Sequence, residues 1–302
     1  MANRLLIISD IHANVYALQS VIDDAGPVDG CWCLGDVVGY GPHPAECLRL
    51  LRDEVQPSVW ILGNHDAAWV GSISTQGWTL DAQVALEINR QLLALAENKA
   101  IAAWAKDYFT ERCLALPSGI VVAGKPYIVV HGRLDNALEG YLAWLEQTQQ
   151  VSEDLGTRAF KHLWQLYHIY YADYDDMSPP LPPPARRLLL GHTHLPTFLR
   201  AHAAEPAAGQ PYSGAFRQLP IPFNGGPCEL GPLPVIINPG SVGQPRDRDN
   251  RAAYAILDVA ADTIEFRRVA YDYQRTQRDM LKLPSSVKRF PPELMDRLAA
   301  GT

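Results

Sequence analysis

The feature that most narrows what this chain can fold into is a repeated event: a short apolar run stops abruptly at a polar turn. Leu5 to Ile8 leads to Asp10-Ile11-His12, Gly30 to Leu34 to Gly35-Asp36, and Val59 to Leu62 to Gly63-Asn64-His65-Asp66. Further on, Tyr127 to Val130 leads to His131-Gly132, and Leu188 to Leu190 to Gly191-His192-Thr193-His194. Runs this short, apolar and sharply bounded predict buried strands. Helix-patterned stretches, Asn14 to Asp24 and Pro44 to Glu54, lie between the first three, and such alternation predicts an α/β sheet with helices on its faces. Asp, His and Asn side chains are thereby delivered to strand ends.

The rest of the pattern is read as one domain over 302 residues, with two insertions. Leu80 to Phe109 has helical period, broken near Asn98. Ile120 to Val122 and Tyr127 to Val130 form a hairpin that delivers His131. Leu138 to Tyr171 is amphipathic and aromatic and ends in the proline tract Ser178 to Pro184, which predicts a helical insertion at about 136–186. Its aromatic residues Trp144, Phe160, Trp164, Tyr167, Tyr170 and Tyr171 have the helical spacing of insertion packing. The Gly/Pro-rich passage Ala203 to Pro234 predicts a loop insertion at about 201–234 with an edge hairpin, ahead of a short strand Val235 to Ile237. Ala253 to Val259 and Thr263 to Arg268 read as a final β pair, followed by helices Tyr273 to Leu281 and Pro292 to Ala299.

Composition excludes several classes. A formal charge of −7 argues against non-specific nucleic-acid binding, which needs clustered Lys and Arg. Arg246, Arg248 and Arg251 alternate with Asp247 and Asp249, the pattern of a solvated loop. No run approaches the ~18 apolar residues of a membrane span, and Met1 to Arg4 passes directly into a strand, so a cytoplasmic location without membrane association is expected. Cys31 and Cys33 alternate along a strand and, with Cys47, Cys113 and Cys228, read as structural thiols.

The clustered side chains carry specific chemistry. Asp and His two positions apart across a turn, as at Asp10 and His12, can converge on one cation, and an Asp ending a neighbouring strand can bridge two. Asn, His and His can complete a second site. Carboxylate, imidazole and amide oxygen together suit two divalent transition metals, Mn, Fe, Zn or Ni, with Mn favoured, better than Ca or Mg. Two ions roughly 3.5 to 4 Å apart hold a hydroxide nucleophile and clamp phosphoryl oxygens, which is metal-assisted phosphoester hydrolysis.

These segments, in this order, resemble the calcineurin-like metallophosphoesterase superfamily, with Gly63-Asn64-His65-Asp66 and Gly191-His192-Thr193-His194 as the most specific parts. The Asp36 to Gly41 and Asn238 to Arg246 loops resemble its small bacterial and archaeal phosphodiesterase branch. The resemblance implies an α/β four-layer sandwich of two facing mixed β-sheets flanked by helices. It also implies that Asp10, His12, Asp36 and His194 hold one metal, and that Asp36 bridges to a second held by Asn64, His131 and His192. His65 takes the family role of proton donor to the leaving alkoxide.

One departure stands out. Protein phosphatases and symmetrical dinucleoside tetraphosphatases carry an Asp-Arg pair after the bridging Asp, where this chain has Gly39-Tyr40. A phosphodiesterase acting on a small phosphoester is therefore expected. The alternatives are a phosphomonoesterase or phosphoprotein phosphatase, and a non-catalytic interaction protein on the same fold. Asn238 and Arg246 are candidate substrate contacts, the latter through a charge-assisted bond to phosphate. His43, His162, His168 and His202 read as surface or packing residues, and oligomeric state stays open.

Overall fold

Alternate side chains of the first strand enter two different cores, and that alternation builds the architecture. In a computed structural model, β1 (Arg4–Ile8) sends Leu5 and Ile7 towards a second sheet and Leu6 and Ile8 towards helices. Every one of the four is buried, each worth about 1.5–3 kcal/mol. The structure describes residues 4–133, 136–140, 187–201 and 216–302.

The first sheet has the order β3 (Val59–Trp60), β2 (Gly30–Cys33), β1, β11 (Ala252–Asp258), β12 (Thr263–Val269) and β9 (Cys228–Glu229). The second has the order β4 (Ser118–Val122), β5 (Lys125–Val129), β6 (Arg187–Leu189), β10 (Val235–Asn238), β7 (Thr197–Ala201) and β8 (Phe216–Gln218). Both are mixed. Their facing sides share one core that joins Leu5, Ile7 and Trp32 to Tyr127, Val129 and Ile237.

Parallel pairing fixes where the chemistry lands. β1, β2 and β3 run parallel, as do β5, β6 and β10, so each trio brings its following loops to one rim. A strand order that leaves loops side by side at carboxyl ends is the usual place for a site in α/β sheets.

Helices α1 (Val15–Ala25), α2 (Pro44–Leu50), α3 (Asn64–Val70) and α5 (Lys99–Glu111) pack their apolar faces on the first sheet. The expected helix Pro44 to Glu54 passes from α2 into a π turn, Leu51–Val55. Another helix, α4 (Leu80–Ala94), is separated from α5 by the 3₁₀ turn Ala96–Asn98, the break anticipated near Asn98. Asn98 itself donates from Nδ2 to Leu92 O at 2.9 Å. A separate core joins α4 to α6 (Tyr273–Leu281) and α7 (Pro292–Ala300). Among the described residues no helix is long and apolar enough to cross a membrane.

Two expectations change in detail. The strand β7 was not anticipated, and the described part of the 201–234 passage holds no self-contained hairpin: β8 pairs with β7, while β9 pairs with β12 in the other sheet. Long-range pairing of this kind leaves no local pattern. Of the proposed helical insertion at about 136–186, residues 141–186 lie outside the described residues, together with its aromatic set, His162 and His168; His202 also lies outside.

Candidate metal centre

The loops after β1 and β2 continue as a ladder: Asp10 N donates to Gly35 O, His12 N to Asp36 O and Ala13 N to Val37 O, at 2.8–3.0 Å. This ladder bends because Asp10, His12 and Asp36 have φ of 53°, 46° and 57°. In the second sheet His192 and His194 have φ of 65° and 60°. Left-handed backbone costs a non-glycine residue about 1–3 kcal/mol and persists where its surroundings enforce it, commonly at functional sites. Gly63 is fixed for a different reason: a Cβ there would lie 2.1 Å from Asp36 Oδ1.

Asp66 holds the next turn. Its carboxylate accepts the N–H groups of Val37, Val38 and Gly63 at 3.0–3.3 Å, so it ties the start of α3 to the Asp36 loop. With α3 so placed, Asn64 and His65 point into the cluster, and His65 N donates to Asp36 Oδ1 at 2.8 Å.

The structure brings Asp10, His12, Asp36, Asn64, His131, His192 and His194 together, all buried. Ligand atoms of Asp10, His12 and His194 lie within 4.8 Å of one another, as do those of Asp36, His131 and His192. Three imidazoles are oriented from behind. Their Nδ1–H groups donate to carbonyl oxygens: His12 to Val38 at 3.0 Å, His131 to Leu34 at 2.7 Å and His194 to Gln244 at 2.5 Å. A carbonyl only accepts, so each ring carries a proton on Nδ1; His12 and His194, held neutral by burial, turn a bare Nε2 inward, whereas His131 is kept protonated beside Asp36.

Those inward atoms face one another. His12 Nε2 and His194 Nε2 are 3.1 Å apart, His131 Nε2 is 3.2 Å from Asn64 Oδ1, and His131 Nε2 is 3.3 Å from Asp36 Oδ2. His131 can serve Asp36 and Asn64 as a donor, but the two bare nitrogens of His12 and His194, this close and away from water, repel unless a cation lies between them. The donor set of imidazole, carboxylate and amide oxygen fits divalent transition metals.

Electrostatics tell the same story. Burial pushes Asp10 up to about 7 and drives His65 and His192 down to about 4 and about 3. It also forces His12 and His194 well below the usual imidazole range. Asp36, which burial alone would raise, is pulled far below the carboxylate range by His131, His65 and His12. Conversely, burial opposes a charge on His131, yet Asp36 beside it lifts its pKa to about 9.

His65 stands at the edge of this cluster and lines a cavity of about 300 Å³ with Asn64, His192, Arg246, Tyr40 and Trp78. Among the described residues no carboxylate hydrogen-bonds its ring. Tyr40 and Trp78 flank it, with centroids at 4.8 and 4.6 Å, and its Nδ1 is buried without a hydrogen bond. A Cβ on Gly39 would come within 2.3 Å of that Nδ1, and Gly39 has φ of 95°, so this position accepts glycine alone. Gly39 and Tyr40, at the positions of the missing Asp-Arg pair, thus bound the ring by contact.

Arg246 lies on the cavity wall, its Nη2 donating to Gln244 Oε1 at 3.1 Å and to Tyr40 OH at 3.4 Å. Asn238 is not among the residues that line the cavity. It is fully buried, and both its N–H groups are spent on the Gly191–His194 loop, on Gly191 O at 2.8 Å and Thr193 Oγ1 at 2.9 Å. Its oxygen accepts Gly240 N, so it braces the loop that carries two candidate ligands. His43 packs on Tyr16 and its Nε2 meets Asp279 at 3.1 Å, a packing role.

Sequence reasoning missed Tyr40, Trp78, Glu139 and Arg297 as cavity residues. Only Tyr40 carried a usable signal, since it directly follows the glycine beside a candidate ligand turn.

Residues 3–196 match the calcineurin-like phosphoesterase family. A crystal structure of a metallophosphoesterase from Sphaerobacter thermophilus is 31% identical, with 100% of both chains covered and a TM-score of 0.65. An uncharacterized protein of Methanocaldococcus jannaschii is 27% identical over 99% of this chain and 98% of its own length. A hypothetical protein of Pyrococcus horikoshii shares the fold, at 17% identity over 99% of this chain and 98% of that one, with a TM-score of 0.64.

Proposed function

The chain belongs to the calcineurin-like phosphoesterase family of hydrolases, and we propose that within it this protein is a phosphodiesterase dependent on two divalent metal ions, manganese being favoured. The observation that carries this reading is the facing pair of acceptors His12 Nε2 and His194 Nε2, 3.1 Å apart beside the buried carboxylates of Asp10 and Asp36. Asp10, His12, Asp36 and His194 would hold one ion, and Asp36, Asn64, His131 and His192 the other. Ions so held supply Lewis-acid polarisation of the phosphoryl group.

The chain's own residues do the rest. Arg246 grips a phosphoryl oxygen, for which its planar fork is suited. Burial keeps the His65 ring neutral before substrate binds; an arriving phosphate anion favours uptake of a second proton from solvent, and the imidazolium then gives its Nε2 proton to the departing alkoxide and returns to the neutral ring. The cavity has room for a second ester arm beside the phosphate, and the absence of the Asp-Arg pair separates the chain from the phosphoprotein branch.

Aryl diester, aryl monoester and phosphopeptide, assayed in parallel with Mn, Ni, Zn, Fe and Mg, test this. The diester should be hydrolysed fastest by protein that carries close to two metal ions. Asp36→Ala should have no turnover, and His65→Ala should lose about 10²- to 10⁴-fold with metal retained. Rapid diester hydrolysis by Asp36→Ala or by metal-stripped protein overturns the mechanism, and a faster monoester reaction overturns the substrate class.

A further inference from the structure

The cavity takes one of its lining residues from far along the chain, beyond the residues matched by the family. Arg297, in the last turn of α7, lines it along with Trp78 and Glu139. Helix α7 is anchored by buried Leu294 and Leu298. Its end is also bonded to the loop that follows Arg246: Arg248 N donates to Gly301 O at 2.7 Å, and Asn250 Nδ2 to Ala299 O at 3.0 Å. Gly301 has φ of 67°, and a Cβ on it would lie 2.7 Å from the Asp249 backbone, so helix end and loop are seated without slack. Arg246 and Arg297 are therefore presented to one cavity by one hydrogen-bonded unit.

Arg297 is lightly committed. Its Nε donates to Thr302 O at 3.0 Å, and among the described residues it forms no ion pair with an Asp or Glu side chain. The Glu139 carboxylate accepts the Trp78 indole N–H at 2.9 Å. A guanidinium with donors to spare on a cavity wall is a receptor for an oxyanion. The cavity of about 300 Å³ has room for a second phosphate-sized group beside one held at the ligand turns.

We propose that Arg297 forms a second anion subsite beside the scissile site, and that the natural substrate is a phosphodiester bearing a further phosphate-class group. The identity of the scissile group rests on the phosphodiesterase reading; the subsite does not.

The test compares a diaryl phosphodiester with the same diester bearing an added phosphate on one ring. Wild-type protein should favour the phosphorylated diester, through KM, by about tenfold. Arg297→Ala should erase that preference, and Arg297→Lys should restore part of it, with metal content equal in all three. A preference that survives in Arg297→Ala, or an equal loss on both substrates, overturns the proposal. Calorimetric binding of inorganic pyrophosphate to metal-loaded protein is the second arm, expected to weaken about tenfold in Arg297→Ala. Undiminished binding overturns the subsite. Should wild-type protein hydrolyse neither diester, the phosphodiesterase reading fails while the pyrophosphate arm still decides the subsite.

Discussion

Single side chains here differ in how openly the sequence displays them. Asp10, Asp36, Asn64, His131, His192 and His194 can be picked out because residue type and position after an apolar run coincide. Trp78, Glu139 and Arg297 cannot, since what gives them a role is proximity across 61 residues or more, as in the Trp78–Glu139 bond. Gly39 is the most exacting position. Gly39→Ala should push His65 off its place, and a misplacement of about 1 Å costs about 10²-fold in turnover while the bound metal stays. Metal content and turnover measured on one preparation check this; full turnover would show that the ring tolerates displacement. The thiols behave as the alternating strand pattern suggested: burial pushes Cys31, Cys33 and Cys47 well above their usual range, out of reach of ordinary alkylation in the folded state.

At the scale of elements, caps and periods were legible and partnerships were not. Asn14, Thr79 and Asp272 each cap a helix by accepting an N–H of the first turn, and all three precede helical periods visible in the sequence. The assignment of β8 and β9 to different sheets depends on pairing with β7 and β12, which no local window contains. Helix α4 shows how an element serves a loop. Its buried Asn89 accepts Gly39 N and donates to Gly41 O, both at 2.9 Å, and so pins the turn that shapes the His65 pocket. Asn89→Ala leaves two buried backbone groups unpaired, at about 1–3 kcal/mol. Urea unfolding should register that loss together with reduced turnover; a variant of unchanged stability would mean that water takes over both bonds.

For the molecule as a whole, metal binding and folding would be one equilibrium. Removing metal should lower the melting temperature, because a ligand bound only by the folded state adds about 4 kcal/mol when its free concentration is about 1,000 times its dissociation constant. Metal-free protein should in addition show a stability maximum near neutrality. His131, raised to about 9, and Asp10 and Asp66, raised to about 7 by burial first, bind protons more tightly folded than unfolded, so stability drains away as pH rises through those values. His12, His65, His192 and His194, depressed by burial, oppose this below the ordinary histidine value of 6.5, where the unfolded chain takes up protons that the folded one refuses. Thermal melts of chelated protein across pH 5 to 9 check both claims, and a flat profile would contradict the burial argument.

Asp10, Asp36 and Asn64 leave one sheet, whereas His131, His192 and His194 leave the other. An ion gripped by both groups would consequently be a clasp between the two sheets at that rim. Exchanging it for one of larger radius turns the clasp into a spacer, which would widen the gap between the sheets there and let ionic size tune the mouth through which substrates enter.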